Sequence, residues 1–193
     1  MTAVATGQAN ATFDIDSHRP NWREKRRLTR ELRRRDETSA RLAELYHLAE
    51  ILNEAADLIS GGWLQHSWFA YRDDSGRTKT VTASNAKEMA GREVVGACLV
   101  GAIVEAGGGL SQVRAQPVQR ALDITWLTLF QAVPRLNHWT PAPEVRKERV
   151  RDLTRWNDQP SRTAHQAEAL LRRSATAAES EAADISRRTT AVF

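Results

Sequence analysis

"RLAELYHLAEILNEAADLISGG" (residues 41–62) decides the fold. Leu42, Leu45, Ala49, Leu52, Ala56 and Ile59 recur at spacings of three and four, the period of one helical face. Leu48, Ile51, Ala55 and Leu58 widen that face until the helix is apolar nearly all round. A helix of that kind belongs at the centre of a core. Gly61–Gly62 ends it, because glycine tolerates the left-handed backbone just past a helix terminus. The expected fold is mainly α, a helical bundle around this long N-terminal helix.

Upstream, "PNWREKRRLTRELRRRDETSA" (20–40) continues the helical signal. Asn21 caps its start and Glu24, three residues on, completes a capping box. Asp36–Ser39 interrupts the apolar pattern, so residues 21–60 read as one bent helix or as two. Residues 1–19 read as a disordered arm. They have no basic start and no apolar core, hence no secretory signal.

Downstream, "WLQHSWFAYRDDSGRTKTVT" (63–82) places aromatic and β-branched residues around Asp74–Ser75–Gly76, the pattern of a small β-hairpin. Helical signal resumes at Ser84. Gly91 splits a short helix from one over 92–106, where Gly96, Ala97, Gly101 and Ala102 permit close approach to a neighbour. Gly107–Gly109 breaks the chain, and Pro117 begins a helix that carries Val118, Ala121, Leu122, Thr125 and Leu129 on one side. "VPRLNHWTPAP" (133–143) is a loop. Another helix runs from near Glu144 to about Arg155, and a last one from near Thr163 fades after Ala183. The organisation expected is an arm (1–19), a basic helical extension (20–40), a single helical domain (41–185) with its hairpin at about 63–82, and a flexible tail (186–193).

The corner between the last two helices is "RWNDQPSRTAHQAEALLRRSA" (155–175). Thr163 and Gln166 fit a capping box, and Ala167, Leu170, Leu171, Ser174 and Ala175 mark a buried face. Trp156 anchors the end of the preceding helix in the core. Asn157 and Asp158 favour a turn by bonding nearby backbone amides, Pro160 stops the helix, and Arg162 or Arg155 pairs with Asp158.

This segment, with "GGWLQHSWFAYRDDSGR" (61–77) and "CLVGAI" (98–103), resembles an uncharacterised domain family of actinobacteria and their phages. The resemblance rests most on Trp156, Asn157, Asp158, Pro160, Arg162 and Thr163, a Trp–Asn–Asp–x–Pro–x–Arg–Thr motif, and covers roughly residues 42–178. It implies a bacterial or phage cytoplasmic origin and a mainly helical fold. It brings no activity and no catalytic residue.

The chain has 193 residues, 41% hydrophobic and 27% charged, in the range of a globular domain. The longest apolar run, "VVGACLVGAIVEA" (94–106), is shorter than the ~20 residues that span a bilayer. The lone Cys98 lies among apolar neighbours. It excludes an intrachain disulfide or a cysteine-rich zinc site and reads as a core residue in a reducing cytoplasm.

Of 28 basic residues, 24 are arginine, a bias that a GC-rich genome also produces; placement must therefore carry any argument from charge. At ~100° per residue, Arg23, Arg26, Arg27, Arg30, Arg33 and Arg34 fall within an arc of about 120°, with Leu28 and Leu32 opposite. Six like charges on one flank repel each other, and a polyanion that releases counterions on binding would account for them. Nucleic acid is the first candidate, bound without sequence specificity. An acidic protein partner and a merely solvated face stay open. Two leucines make too small an apolar face for a membrane surface. The alternative is a protein-interaction module that presents Trp63, Trp68, Phe69 and Tyr71, although those aromatics fit a core better. Self-association along the first helix also stays open.

Enzyme readings find little support. His18, His47, His66, His138 and His165 form no metal-binding spacing. His66, near Asp73 and Asp74, is the best general-base candidate, but both aspartates suit the turn. No nucleophile elbow, phosphate loop or dinucleotide fingerprint is present, so no cofactor or metal is expected.

Overall fold

A computed structural model describes residues 21–89, 91–131, 136 and 141–190. The arm, most of the 133–143 loop with His138, and the last three residues lie outside the described residues, as does His18. In chain order the elements are α1 (Trp22–Gly61), β1 (Phe69–Arg72), β2 (Thr78–Val81), a 3-10 turn (Ala86–Met89), β3 (Val94–Ala97), α2 (Leu99–Ala106), a second 3-10 turn (Leu110–Gln112), α3 (Gln116–Phe130), α4 (Pro143–Asn157) and α5 (Ala164–Thr190). The fold is mainly α with a small antiparallel sheet. The chain forms two compact units, one ending at Glu37 and one beginning at Thr38.

In the first unit, α1 starts with the expected capping box. Asn21 Oδ1 accepts from the amides of Arg23 and Glu24 at 3.0 Å, and Glu24 Oε2 accepts from the Asn21 amide at 2.7 Å. Asp36–Ser39 does not break the helix: its polar side chains are exposed or half-exposed, and α1 runs unbroken from Trp22 to Gly61.

The second unit holds the core. Leu45, Leu48, Leu52 and Ile59 of α1 are buried together with Phe69, Leu99, Ile103, Leu153, Leu170 and Leu171. Each fully buried side chain of this size contributes about 2 kcal/mol. Exposed pairs such as Arg27–Glu31 at 3.7 Å contribute a few tenths, so packing decides stability here. Arg172 on α5 reaches back to α1, to Asp57 at 2.5 Å and Asn53 at 3.3 Å.

The sheet has the order β2–β1–β3, with Phe69 opposite Val81 on one side and Ala97 on the other. The β1–β2 turn is held by Asp73 Oδ1, which accepts from the Ser75 amide at 2.9 Å, the Ser75 hydroxyl at 2.6 Å and the Arg77 amide at 3.0 Å. Those bonds, the Ser75 hydroxyl first, hold the Asp73 carboxyl well below the usual range.

The helix expected over 92–106 is corrected. Residues 94–97 are a strand, and only 99–106 are helical. The free edge of β3 is covered by the segment that follows α1. The Ala97 amide donates to Gly62 O at 2.8 Å, and the Leu64 amide donates to Ala97 O at 3.1 Å. That approach needs glycine, since a Cβ on Gly62 would stand 2.4 Å from Val95 O. The segment expected to turn helical at Ser84 is a single 3-10 turn. The last helix does not fade after Ala183 but continues through Thr190, with Ala182 buried and Ile185 packed against the core.

Candidate nucleic-acid interface and the Trp-Asn-Asp corner

Arg23, Arg26, Arg27, Arg30, Arg33 and Arg34 all lie on α1 and are exposed. The Arg26 guanidinium stacks 4.7 Å from the centroid of the Trp22 ring, and Arg27 Nε lies 3.7 Å from Glu31 Oε1. Leu28 and Leu32, on the opposite flank, are exposed as well. The helix therefore presents the arginines as a row, about two every turn along its axis.

The Trp–Asn–Asp corner is built differently from its sequence reading. Asn157 is the last residue of α4 and is fully buried. Its Oδ1 accepts from Trp63 Nε1 at 2.9 Å and from the Leu99 amide, at the first turn of α2, at 3.1 Å. Its Nδ2 donates to Leu64 O at 3.0 Å and to Asp158 Oδ1 at 2.9 Å. Both donors and both acceptor directions are thus used. Asn157 bonds across the chain and not to nearby amides, a role that only tertiary structure reveals. Asp158 Oδ1 also accepts from the His66 amide at 2.9 Å. That bond supports His66 at φ 61°, a left-handed conformation that disfavours a side chain. Gln65 Nε2 completes the junction on Asn157 O at 3.0 Å and Gln159 O at 2.8 Å.

The expected ion pair from Arg162 or Arg155 to Asp158 is corrected. Arg162 bonds Gln159 Oε1 at 2.8 Å and lies over the Trp156 ring, 4.6 Å from its centroid. Arg155 faces Asp152 at 4.0 Å. Trp156 is half-buried against the core, and Pro160 sits exposed in the turn. Thr163 and Gln166 exchange the two bonds of a capping box at the start of α5, at 3.3 and 3.2 Å.

The remaining candidates resolve as structure. His66 Nδ1 lies 3.7 Å from Asp158 Oδ2, whereas Asp73 Oδ1 is taken up by Ser75 and Arg77 within its own turn. Phe69 and Tyr71 are buried, and Trp63 and Trp68 are half-buried against the core, so these four do not form an exposed aromatic patch. Cys98 caps α2, its Sγ accepting from the Gly101 amide at 3.3 Å, and burial pushes its thiol up to about 11. At neutral pH a thiol-specific reagent is expected to label Cys98 only after denaturant is added; prompt labelling of the folded protein would contradict this environment. Since the folded-state value lies above the unfolded one, Cys98 leaves stability unchanged below about pH 9 and lowers it between about 9 and 11, where only the unfolded chain ionises.

A cleft of about 760 Å³ in the second unit is lined by Glu54, Asp57, Glu93 and Glu105 with Arg72, and burial raises the Glu105 carboxyl. Its charge is wrong for a phosphate chain. Among the described residues no group of three His, Cys, Asp or Glu side chains is placed to hold a metal ion, and no helix is long and apolar enough to cross a membrane.

The architecture defines a helical protein in which the segment after α1, the start of α2 and the end of α4 are joined at one buried asparagine. Residues 43–177 match the family of unknown function DUF6197, and the chain belongs to that family. The arginine row lies outside the matched residues. No curated protein and no solved structure matches the chain.

Proposed function

We propose that this chain is a non-catalytic accessory protein of a bacterial or phage cytoplasm that binds nucleic acid, without sequence specificity, through Arg23, Arg26, Arg27, Arg30, Arg33 and Arg34. The observation that carries the reading is the exposure of all six guanidinium groups along one helical flank. Guanidinium is weakly hydrated and bonds phosphate oxygens in a fork, so a row of them suits a phosphodiester backbone. Nothing in such a row reads base edges, so affinity follows salt and not sequence.

With six phosphate contacts on duplex DNA, log affinity against log salt is expected to fall with a slope of roughly −5. Replacing Arg26, Arg30 and Arg33 by Glu removes three contacts and adds three repulsions. Binding at about 0.15 M salt is expected to disappear while the thermal midpoint of the second unit stays unchanged. Retained affinity in that variant sinks the proposal. A partner protein that copurifies through high salt and nuclease would instead favour an interaction module.

A further inference from the structure

Four guanidinium groups of α1, α3 and α4 converge on two carboxylates in the second unit. Glu44 Oε2 accepts from Arg41 Nη1 at 2.8 Å, and Glu44 Oε1 meets Arg120 Nε at 3.0 Å as an ion pair only. Asp123 holds Arg149 Nη1 on Oδ1 at 2.8 Å and Arg146 Nε on Oδ2 at 3.1 Å. The two sets form one cluster, because Arg120 and Asp123 stand three residues apart on one face of α3. Burial first, then its cationic neighbours, lowers the Arg120 guanidinium against the pull of the two carboxylates. The Arg120 side chain is 7% exposed, and those of Arg41, Arg146 and Arg149 are between 14% and 17% exposed.

Four positive charges against two negative ones leave a surplus of two in a site that is largely out of water. Buried charge without a counter-charge is strongly unfavourable, so such a surplus is stable when an anion shares it. Among the described residues, nearby acids do not supply one. Asp152 accepts from Trp126 Nε1 at 3.0 Å and faces Arg155, and Glu148 is engaged by Arg151. Residues 131–143, which follow α3, contain no acid and one further arginine, Arg135. Donor capacity is also left over: Arg149 Nε is buried without a hydrogen-bond partner, and Arg146 Nη2 meets Asp123 at 3.0 Å as an ion pair only.

We infer that Arg41, Arg120, Arg146 and Arg149 form a binding site for a phosphate-type dianion, with Glu44 and Asp123 holding the guanidinium groups in place. Two charges match the surplus, where a single carboxylate would leave half of it, and guanidinium forks suit the phosphate oxygens. The site is independent of the arginine row on residues 23–34 and of the function proposed for it.

The probe is inorganic phosphate, titrated to about 10 mM into the full chain at about pH 8, with sodium chloride holding ionic strength constant. Saturable one-to-one binding by calorimetry and a rise in the thermal midpoint of about 5 °C are expected. Both should persist in the variant with Arg26, Arg30 and Arg33 replaced by Glu. Arg149→Gln should weaken binding about tenfold. Asp123→Asn separates this role from simple cross-bracing: it enlarges the surplus, so phosphate should bind more tightly although the unliganded protein is less stable. No saturable binding to the wild-type chain overturns the inference. So does loss of binding in the triple-glutamate variant, which would assign the phosphate to α1. The wild-type and triple-variant measurements decide the matter even if a cluster variant fails to fold.

Discussion

Replacing Asn157 by Ala is expected to lower folding stability by about 4 kcal/mol, the largest single effect in the chain. The truncation strips partners from the Trp63 indole N–H, the Leu99 amide and the Leu64 carbonyl at once. Each buried group left unmatched costs about 1–3 kcal/mol. By comparison, Thr163→Ala removes one exposed cap worth about 1 kcal/mol. Urea unfolding measures the difference, and a loss below about 1 kcal/mol would show that the corner tolerates an unfilled centre. Asn157→Asp adds a pH signature. The new carboxyl would face Asp158 and the Leu64 carbonyl, so its folded-state pKa would lie above its unfolded one. The deficit should be greatest above that raised value and shrink as the pH falls through it.

Gly101→Ala is expected to lower stability by about 3 kcal/mol, against the helix propensity that normally makes alanine the better residue by up to about 1 kcal/mol. A Cβ at this position would lie 2.2 Å from Trp68 O and 3.2 Å from Phe69 Cε1. The obstacle is the main chain beside β1, which also accepts the Cys98 amide on Trp68 O at 3.0 Å and so ties α2 to the sheet. The helix must lift off the strand or the strand must bend. Gly61→Ala is the control, because nothing lies within 4 Å of the added methyl. Equal thermal midpoints for the two variants would refute the close approach.

Local signals were legible in the sequence. The periodicity of residues 42–59 marked the buried face of α1, and Asn21 with Glu24 and Thr163 with Gln166 announced helix starts through side chains only three positions apart. The Asp73–Gly76 turn was equally local. The illegible parts were long-range. "VVGA" (94–97) sits in a run of small apolar residues that suits a helix equally well. It becomes a strand because β1 on one side and Gly62–Leu64 on the other satisfy its backbone. Asn157 and Asp158 carry turn chemistry in any sequence. Nothing near them signals that their partners are Trp63, Leu64, His66 and Leu99. The cluster around Arg120 and Asp123 escaped for the same reason, since α1, α3 and α4 each contribute ordinary surface-type residues that only packing brings together. The arginine row was visible because helical geometry alone aligns it.

The Asn157 side chain joins positions 58 and 94 apart along the chain. Long loops must close before those bonds can form, which puts the junction late on the folding route. Its loss should then leave the refolding rate nearly untouched and speed unfolding roughly a thousandfold in Asn157→Ala. How long a folded molecule lasts between openings is governed by one side-chain amide.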